Sequence, residues 1–158
     1  MRIDPSTLAA AMTVMLAASA QAHDAGHGHD GALPFGEPGD PAKPAREIVL
    51  IMKEADGKML YAPNRISVSK GEQIRFRVEN EGAIDHEFVL ATLEANLKHA
   101  REMEKNPDME HDEPNMKRLA PGKSAEVLWK FSKAGTFDFS CLIPGHRQAG
   151  MTGTVIVK

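Results

Sequence analysis

The sequence predicts an all-β domain built as a β-sandwich, and three observations carry that prediction. Apolar residues recur at alternate positions in most of the apolar stretches beyond residue 45. Gly, Pro and Asn fall between those stretches and supply the turns. About seven such stretches joined by short connections are too many for one flat sheet and suit two packed ones.

Taken in order, Ile48 to Met52 is an apolar run fit for a buried strand. Ile66 and Val68 alternate with polar neighbours before the Lys70-Gly71 turn, and Ile74, Phe76 and Val78 alternate with Arg75, Arg77 and Glu79. Asn80 to Gly82 is turn material. Ile84, His86, Phe88 and Leu90 then share one face of the next strand, since side chains alternate across a strand. After Pro121-Gly122 the same rule places Ala125, Val127, Trp129 and Phe131 together. Phe137, Phe139 and Cys141 share a face after Gly135, and Thr152 to Val157 is the last strand. One segment breaks the period. Thr92 to Asn106 is rich in Ala, Leu, Glu and Lys and predicts a helix ended by Pro107, followed by an irregular polar stretch to Pro114.

The chain's 158 residues suit one domain, and the formal net charge of -3 without any basic block gives nucleic-acid binding no electrostatic support. Residues 1–22 are expected to be a secretory signal peptide. Arg2 precedes an apolar run from Leu8 to Ala18, interrupted only by Thr13, and Ala20-Gln21-Ala22 offers the cleavage pattern. The run is too short to span a bilayer comfortably, so no membrane span is expected once it is removed. The expected location is the periplasm. Residues 23–45, rich in Gly, Pro, Asp and His, are expected to form a disordered leader, with the domain occupying 46–158.

Export gives the single cysteine its meaning. A secreted chain with one cysteine cannot close an internal disulfide, and a bare thiol in an oxidising compartment must be buried or bound. Cys141 ends a core-facing strand. His146 and Met151 follow in the next connection, which Pro144, Gly145 and Gly150 can fold tightly. His86 stands in an otherwise apolar inward row and needs a partner for its ring nitrogens. One thiolate, two imidazoles and one thioether is the donor set of a mononuclear electron-transfer copper site. Zinc fits less well, because structural zinc sites seldom use Met.

At these residues the chain resembles the cupredoxins, over residues 46 to 158. Asp85-His86-Glu87-Phe88, the loop Cys141-Leu-Ile-Pro-Gly-His146-Arg-Gln-Ala-Gly-Met151 and the closing strand carry the resemblance. The Cys-x4-His-x4-Met spacing looks like that of auracyanin and rusticyanin, one residue longer between His and Met than in azurin. The resemblance implies a cupredoxin-like Greek-key β-sandwich. It also implies a type 1 copper site with His86, Cys141 and His146 as strong ligands, Met151 as the axial ligand, and copper cycling between Cu(I) and Cu(II). A dinuclear site of the cytochrome-oxidase kind is excluded, since it needs a second cysteine.

Two features depart from a plain electron carrier. An insertion, about 92–119, holds His99, Met103, Met109, His111 and Met116. These are either a second, soft copper site, led by Met103, Met109 and His111, or packing that seats the helix on the sheet. The leader holds His23, His27 and His29, either chelators of Cu(II) or incidental residues of a linker. A His-rich leader with a Met/His-rich insertion resembles the periplasmic copper-tolerance cupredoxins of the CopI type, which implies copper homeostasis. The alternative is a soluble electron shuttle serving a respiratory or oxidase partner, for which Ile143, Pro144, Ala149 and Gly150 around His146 provide an apolar face. The two readings differ in whether the protein partner transfers copper or electrons. An enzyme of the copper nitrite reductase kind needs a second cupredoxin domain. Weak oxidation of Cu(I) is the remaining enzymatic reading.

Overall fold

A computed structural model describes residues 33–107, 109 and 113–158. The expected signal peptide, the leader histidines His23, His27 and His29, and His111 lie outside the described residues. Ten strands and one helix occur among the described residues: β1 (Glu37–Pro38), β2 (Arg46–Ala55), β3 (Lys58–Ala62), β4 (Arg65–Val68), β5 (Gln73–Asn80), β6 (His86–Ala91), α1 (Leu93–Met103), β7 (Met116–Leu119), β8 (Ser124–Lys130), β9 (Gly135–Ser140) and β10 (Thr152–Val157). They form two five-stranded sheets, ordered β1-β8-β5-β2-β3 and β4-β10-β9-β6-β7. β2 with β5 and β4 with β10 pair in parallel, and the other pairings are antiparallel.

The alternating residues meet between the sheets. Leu50 and Met52 of β2, Ile74, Phe76 and Val78 of β5, and Val127 and Trp129 of β8 come from one side. Phe88 and Leu90 of β6, Phe137 and Phe139 of β9, and Val155 and Val157 of β10 come from the other. Phe76 and Phe88, 5.3 Å apart between ring centroids, join the two layers. Gly153 faces Phe139 across the β9–β10 ladder, and a Cβ there would lie 2.1 Å from the ring of a fully buried residue. Gly153→Ala is therefore expected to lower stability by about 1–3 kcal/mol, the usual cost of overpacking a core, as measured by denaturant unfolding.

Four expectations are corrected. The ordered domain starts well before residue 46. β1 pairs with β8, Phe35 stacks on Trp129 at 5.3 Å, and Trp129 Nε1 donates to the Phe35 carbonyl at 2.9 Å, so the stretch 35–38, placed in the disordered leader, is part of the packed domain. Ile84 is 42% exposed rather than inward, because strand pairing begins only at His86. The buried amide of Asn80 holds the preceding turn by donating to the carbonyls of Ile84 and Leu119, each at 2.8 Å. The insertion ends before 119, since β7 is an integral edge strand paired to β6 from His86↔Leu119 to Val89↔Met116. The helix stops at Met103, short of Asn106.

The helix start agrees with the sequence: the Thr92 side chain caps it by accepting from the Ala95 N–H at 3.1 Å. α1 lies on the outer side of the second sheet, where Met103 packs with Val89 and Leu142. That cover leaves all six residues of β6 buried, on both faces. Asn96 of α1, itself buried, donates to the Val89 carbonyl at 3.1 Å and to the Asp138 carboxylate at 2.8 Å, which fixes the helix to β6 and β9.

Candidate metal centre

The start of β6, the end of β9 and the loop between β9 and β10 converge at one end of the sandwich. β6 begins with His86 and Cys141 directly follows β9, so backbone pairing sets both positions. The loop is closed by its own hydrogen bonds. His146 N–H donates to the Ile143 carbonyl, and Met151 N–H to the His146 carbonyl, both at 3.1 Å; Cys141 N–H donates to the Met151 carbonyl at 3.2 Å. Gly145 (φ 89°) and Gly150 (φ 106°) occupy left-handed conformations that favour glycine.

The result is a buried donor triangle. Cys141 Sγ lies 3.3 Å from His146 Nδ1, and the two Nδ1 atoms of His86 and His146 are also 3.3 Å apart. All three donor atoms fall within 4.8 Å of one another. First-row ions bind such nitrogen and sulfur donors at about 2.0–2.3 Å, so a triangle of this size suits one ion at its centre. His86, Cys141 and Met151 are fully buried, and His146 reaches the surface at 9% exposure. Met151 is tied by backbone bonds to both Cys141 and His146, and its side chain belongs to the main core.

Charge on these groups is set by their surroundings. Burial pushes the Cys141 thiol up to about 12, against the help of the Glu87 N–H, which donates to Sγ at 3.3 Å. A metal ion that takes the thiolate must therefore displace a tightly held proton. Burial, and then the neighbouring His86 ring, lower the pKa of His146 and favour the neutral ring that coordinates metal. Around the triangle, Tyr61 donates its hydroxyl proton to the Glu87 carbonyl.

A second polar cluster braces the loop. Arg147, next to His146, places Nη1 2.9 Å and Nη2 3.1 Å from the two carboxylate oxygens of Asp138 and also donates to the Ser140 hydroxyl. Asn96 reaches the same carboxylate from α1. The ligand loop, β9 and the helix are thereby fastened at one point. The sequence marks Arg147 only as a charge beside His146, and Asp138 falls where a solvent-facing residue is expected between Phe137 and Phe139. Glu54, which meets His86 Nε2 at 2.8 Å, also escapes a local reading, because it comes from the opposite sheet.

Of the other sulfur and imidazole residues singled out in the sequence, the structure gathers three. Met109 and Met116 pack against the Val89, Met103 and Leu142 cluster, so three methionine side chains belong to one apolar cluster on the outer side of the sheet, beside the residue that follows Cys141. Met103 is fully buried, while Met109, Met116 and His99 are partly buried.

Residues 48–158 match the family described as copper binding proteins, plastocyanin/azurin family. The chain belongs to that family: it is a cupredoxin, and copper is its cofactor. Within it, the chain is similar to the copper-resistant cuproprotein CopI of Rubrivivax gelatinosus, 47% identical over 87% of this chain and 81% of that one. It is also similar to CopI of Pseudomonas aeruginosa, at 34% identity over 99% of this chain and 97% of the relative. The fold matches auracyanin B with a TM-score of 0.63 at 24% identity, covering 81% of this chain and 99% of that one.

Proposed function

We propose that the protein handles copper in the periplasm as part of copper tolerance, exported there by residues 1–22. Its mononuclear type 1 site would be held by His86, Cys141 and His146, with the Met151 thioether as the weaker fourth donor. The buried donor triangle carries this reading, because two imidazoles and one thiolate at these separations are the equatorial donors of such a site. The CopI relatives support the tolerance role. Copper, when bound, supplies one-electron chemistry between Cu(I) and Cu(II). The chain supplies the rest. The two-sheet core and the Arg147–Asp138 brace would resist rearrangement of the donors when copper changes oxidation state. Burial excludes water from Cys141, and His146 at the surface offers the route by which electrons or copper pass to a partner.

The thioether cluster of Met103, Met109 and Met116, with His111 and His99 nearby in sequence, extends this reading to a second, soft site for Cu(I). His23, His27 and His29 extend it to Cu(II). Copper stoichiometry tests this. Loaded separately with Cu(I) and Cu(II), the chain is expected to hold two or more coppers, with the excess Cu(I) lost when Met103, Met109 and Met116 become Leu and His111 becomes Ala. One copper per wild-type chain would contradict the accessory sites and favour the electron shuttle, the second reading. Ile143 and Pro144 beside the exposed edge of His146 give that reading its apolar contact. Deleting the gene separates the physiology: copper tolerance should fall, and unchanged tolerance would favour the shuttle.

A further inference from the structure

Glu54 comes from the first sheet, yet its carboxylate ends at a residue of the second. Oε1 lies 2.8 Å from His86 Nε2, and Oε2 accepts the Ala83 N–H at 2.9 Å. The carboxylate is thus gripped from two directions and aimed at the ring edge opposite the donor triangle. His86 itself is fully buried, and the Glu54 side chain keeps 31% exposure.

A second observation shows that the fold reserves space for this contact. Gly82 does not have a positive φ, so its backbone does not demand glycine. A larger residue would instead have to push aside the side chains it meets. A Cβ at Gly82 would stand 2.7 and 2.8 Å from the two Glu54 oxygens and 2.9 Å from His86 Nε2. The turn is held at this distance by Asn80, whose Oδ1 accepts the Gly82 N–H at 2.9 Å. Glycine at 82 lets the turn close over the carboxylate and ring without parting them.

We infer that Glu54 is a positioning residue of the copper site, a carboxylate that fixes the ring and tautomer of His86 and biases bound copper toward Cu(II). This rests on the reading of His86 as a copper ligand. With Nε2–H donated to Glu54, the lone pair of His86 is on Nδ1, the atom that faces Cys141 and His146. A carboxylate on the far nitrogen raises the basicity of a coordinating imidazole and locks its orientation. Its negative charge, in a partly desolvated place, stabilises the more positive ion more than the less positive one. Cu(II) gains more than Cu(I), and the reduction potential falls. The site is thereby held toward its oxidised form by a group that never touches the metal.

Three full-length proteins test this: wild type, Glu54→Gln and Gly82→Ala. Gln keeps the shape and an acceptor oxygen but removes the charge. Ala at 82 keeps the charge and displaces it. Reduction potential is measured by spectroelectrochemistry, with Cu(I) and Cu(II) affinities by competition. In the metal-free proteins, nitrogen NMR reads which His86 nitrogen carries the proton. Outer partners of metal-bound histidines are worth about 10–100-fold in affinity. The expected result is a loss of about tenfold in Cu(II) over Cu(I) preference in both variants, a rise of about 59 mV for a one-electron couple. The visible band should remain, and metal-free wild type should hold its His86 proton on Nε2. An unchanged potential in both variants overturns the inference, as does a metal-free wild type with the proton on Nδ1. Absence of a thiolate-to-copper band in wild type instead overturns the ligand reading on which the inference rests, so the two failures are told apart.

Discussion

Cys141→Ser is expected to abolish the strong visible thiolate-to-copper band while leaving the fold in place. The side chain is fully buried at the end of β9, and its sulfur is the only thiol in the chain. No other residue can supply the charge-transfer donor. The serine hydroxyl is of similar size and can accept the Glu87 N–H that now points at Sγ, so no backbone donor is stranded. The two imidazoles remain, and weak copper binding without colour is the expected residue of function. Absorption spectra of copper-loaded wild type and variant, with circular dichroism to check the fold, measure this. Colour that persists in the variant would place the thiolate outside the site.

Asp138→Ala is expected to destabilise the fold and to disturb the metal centre together. The Arg147 and Asp138 side chains are 17% and 11% exposed, and the carboxylate also receives Asn96 Nδ2 at 2.8 Å and the Ser140 hydroxyl at 2.6 Å. Its removal takes the counter-charge from a mostly buried guanidinium and one hydrogen bond from each of Asn96 and Ser140, which keep other partners. Breaking a buried pair from one side costs roughly 3–5 kcal/mol, and the residual water contact here points to about 3 kcal/mol. Denaturant unfolding of the metal-free protein reads the loss. The effect should reach the metal centre too, since Ser140 precedes Cys141 and Arg147 follows His146. A shifted or broadened visible band is expected in the copper-loaded variant. Replacing both partners, with Asp138→Leu and Arg147→Met, should recover part of the stability, because no charge is then left alone. Near-wild-type stability in Asp138→Ala would mean that the brace carries no weight.

The strands that alternate cleanly were legible because their period matched their burial. Phe76, Val78, Val127 and Trp129 all point inward as their spacing demands. The closing of the loop was legible for a different reason: Cys141, His146 and Met151 are close in sequence, so one tight connection suffices to bring their backbones together. His86 could be added from strand register alone. Where alternation stopped being informative, the reading failed. Ile84 continues the apolar pattern of β6 backwards, but the Asn80 turn keeps it out of the sheet. Lys58-Met59-Leu60-Tyr61-Ala62 forms β3 although its apolar residues run on without a period. Phe35 sits among Gly and Pro residues with nothing local to mark it, and only its distant partner Trp129 explains its order. Glu54 and Asp138 share that character. Each acts through a contact made by sheet pairing or helix docking, which no short window of sequence contains.

We propose that His86, Cys141, His146 and Met151 bind a single copper ion. X-ray absorption at the copper edge, on the chain loaded with one equivalent of Cu(II), tests it most directly. The expected spectrum shows two nitrogen neighbours and one short sulfur, with a longer, weaker sulfur that disappears in Met151→Leu. A copper shell made only of nitrogen and oxygen would contradict the account.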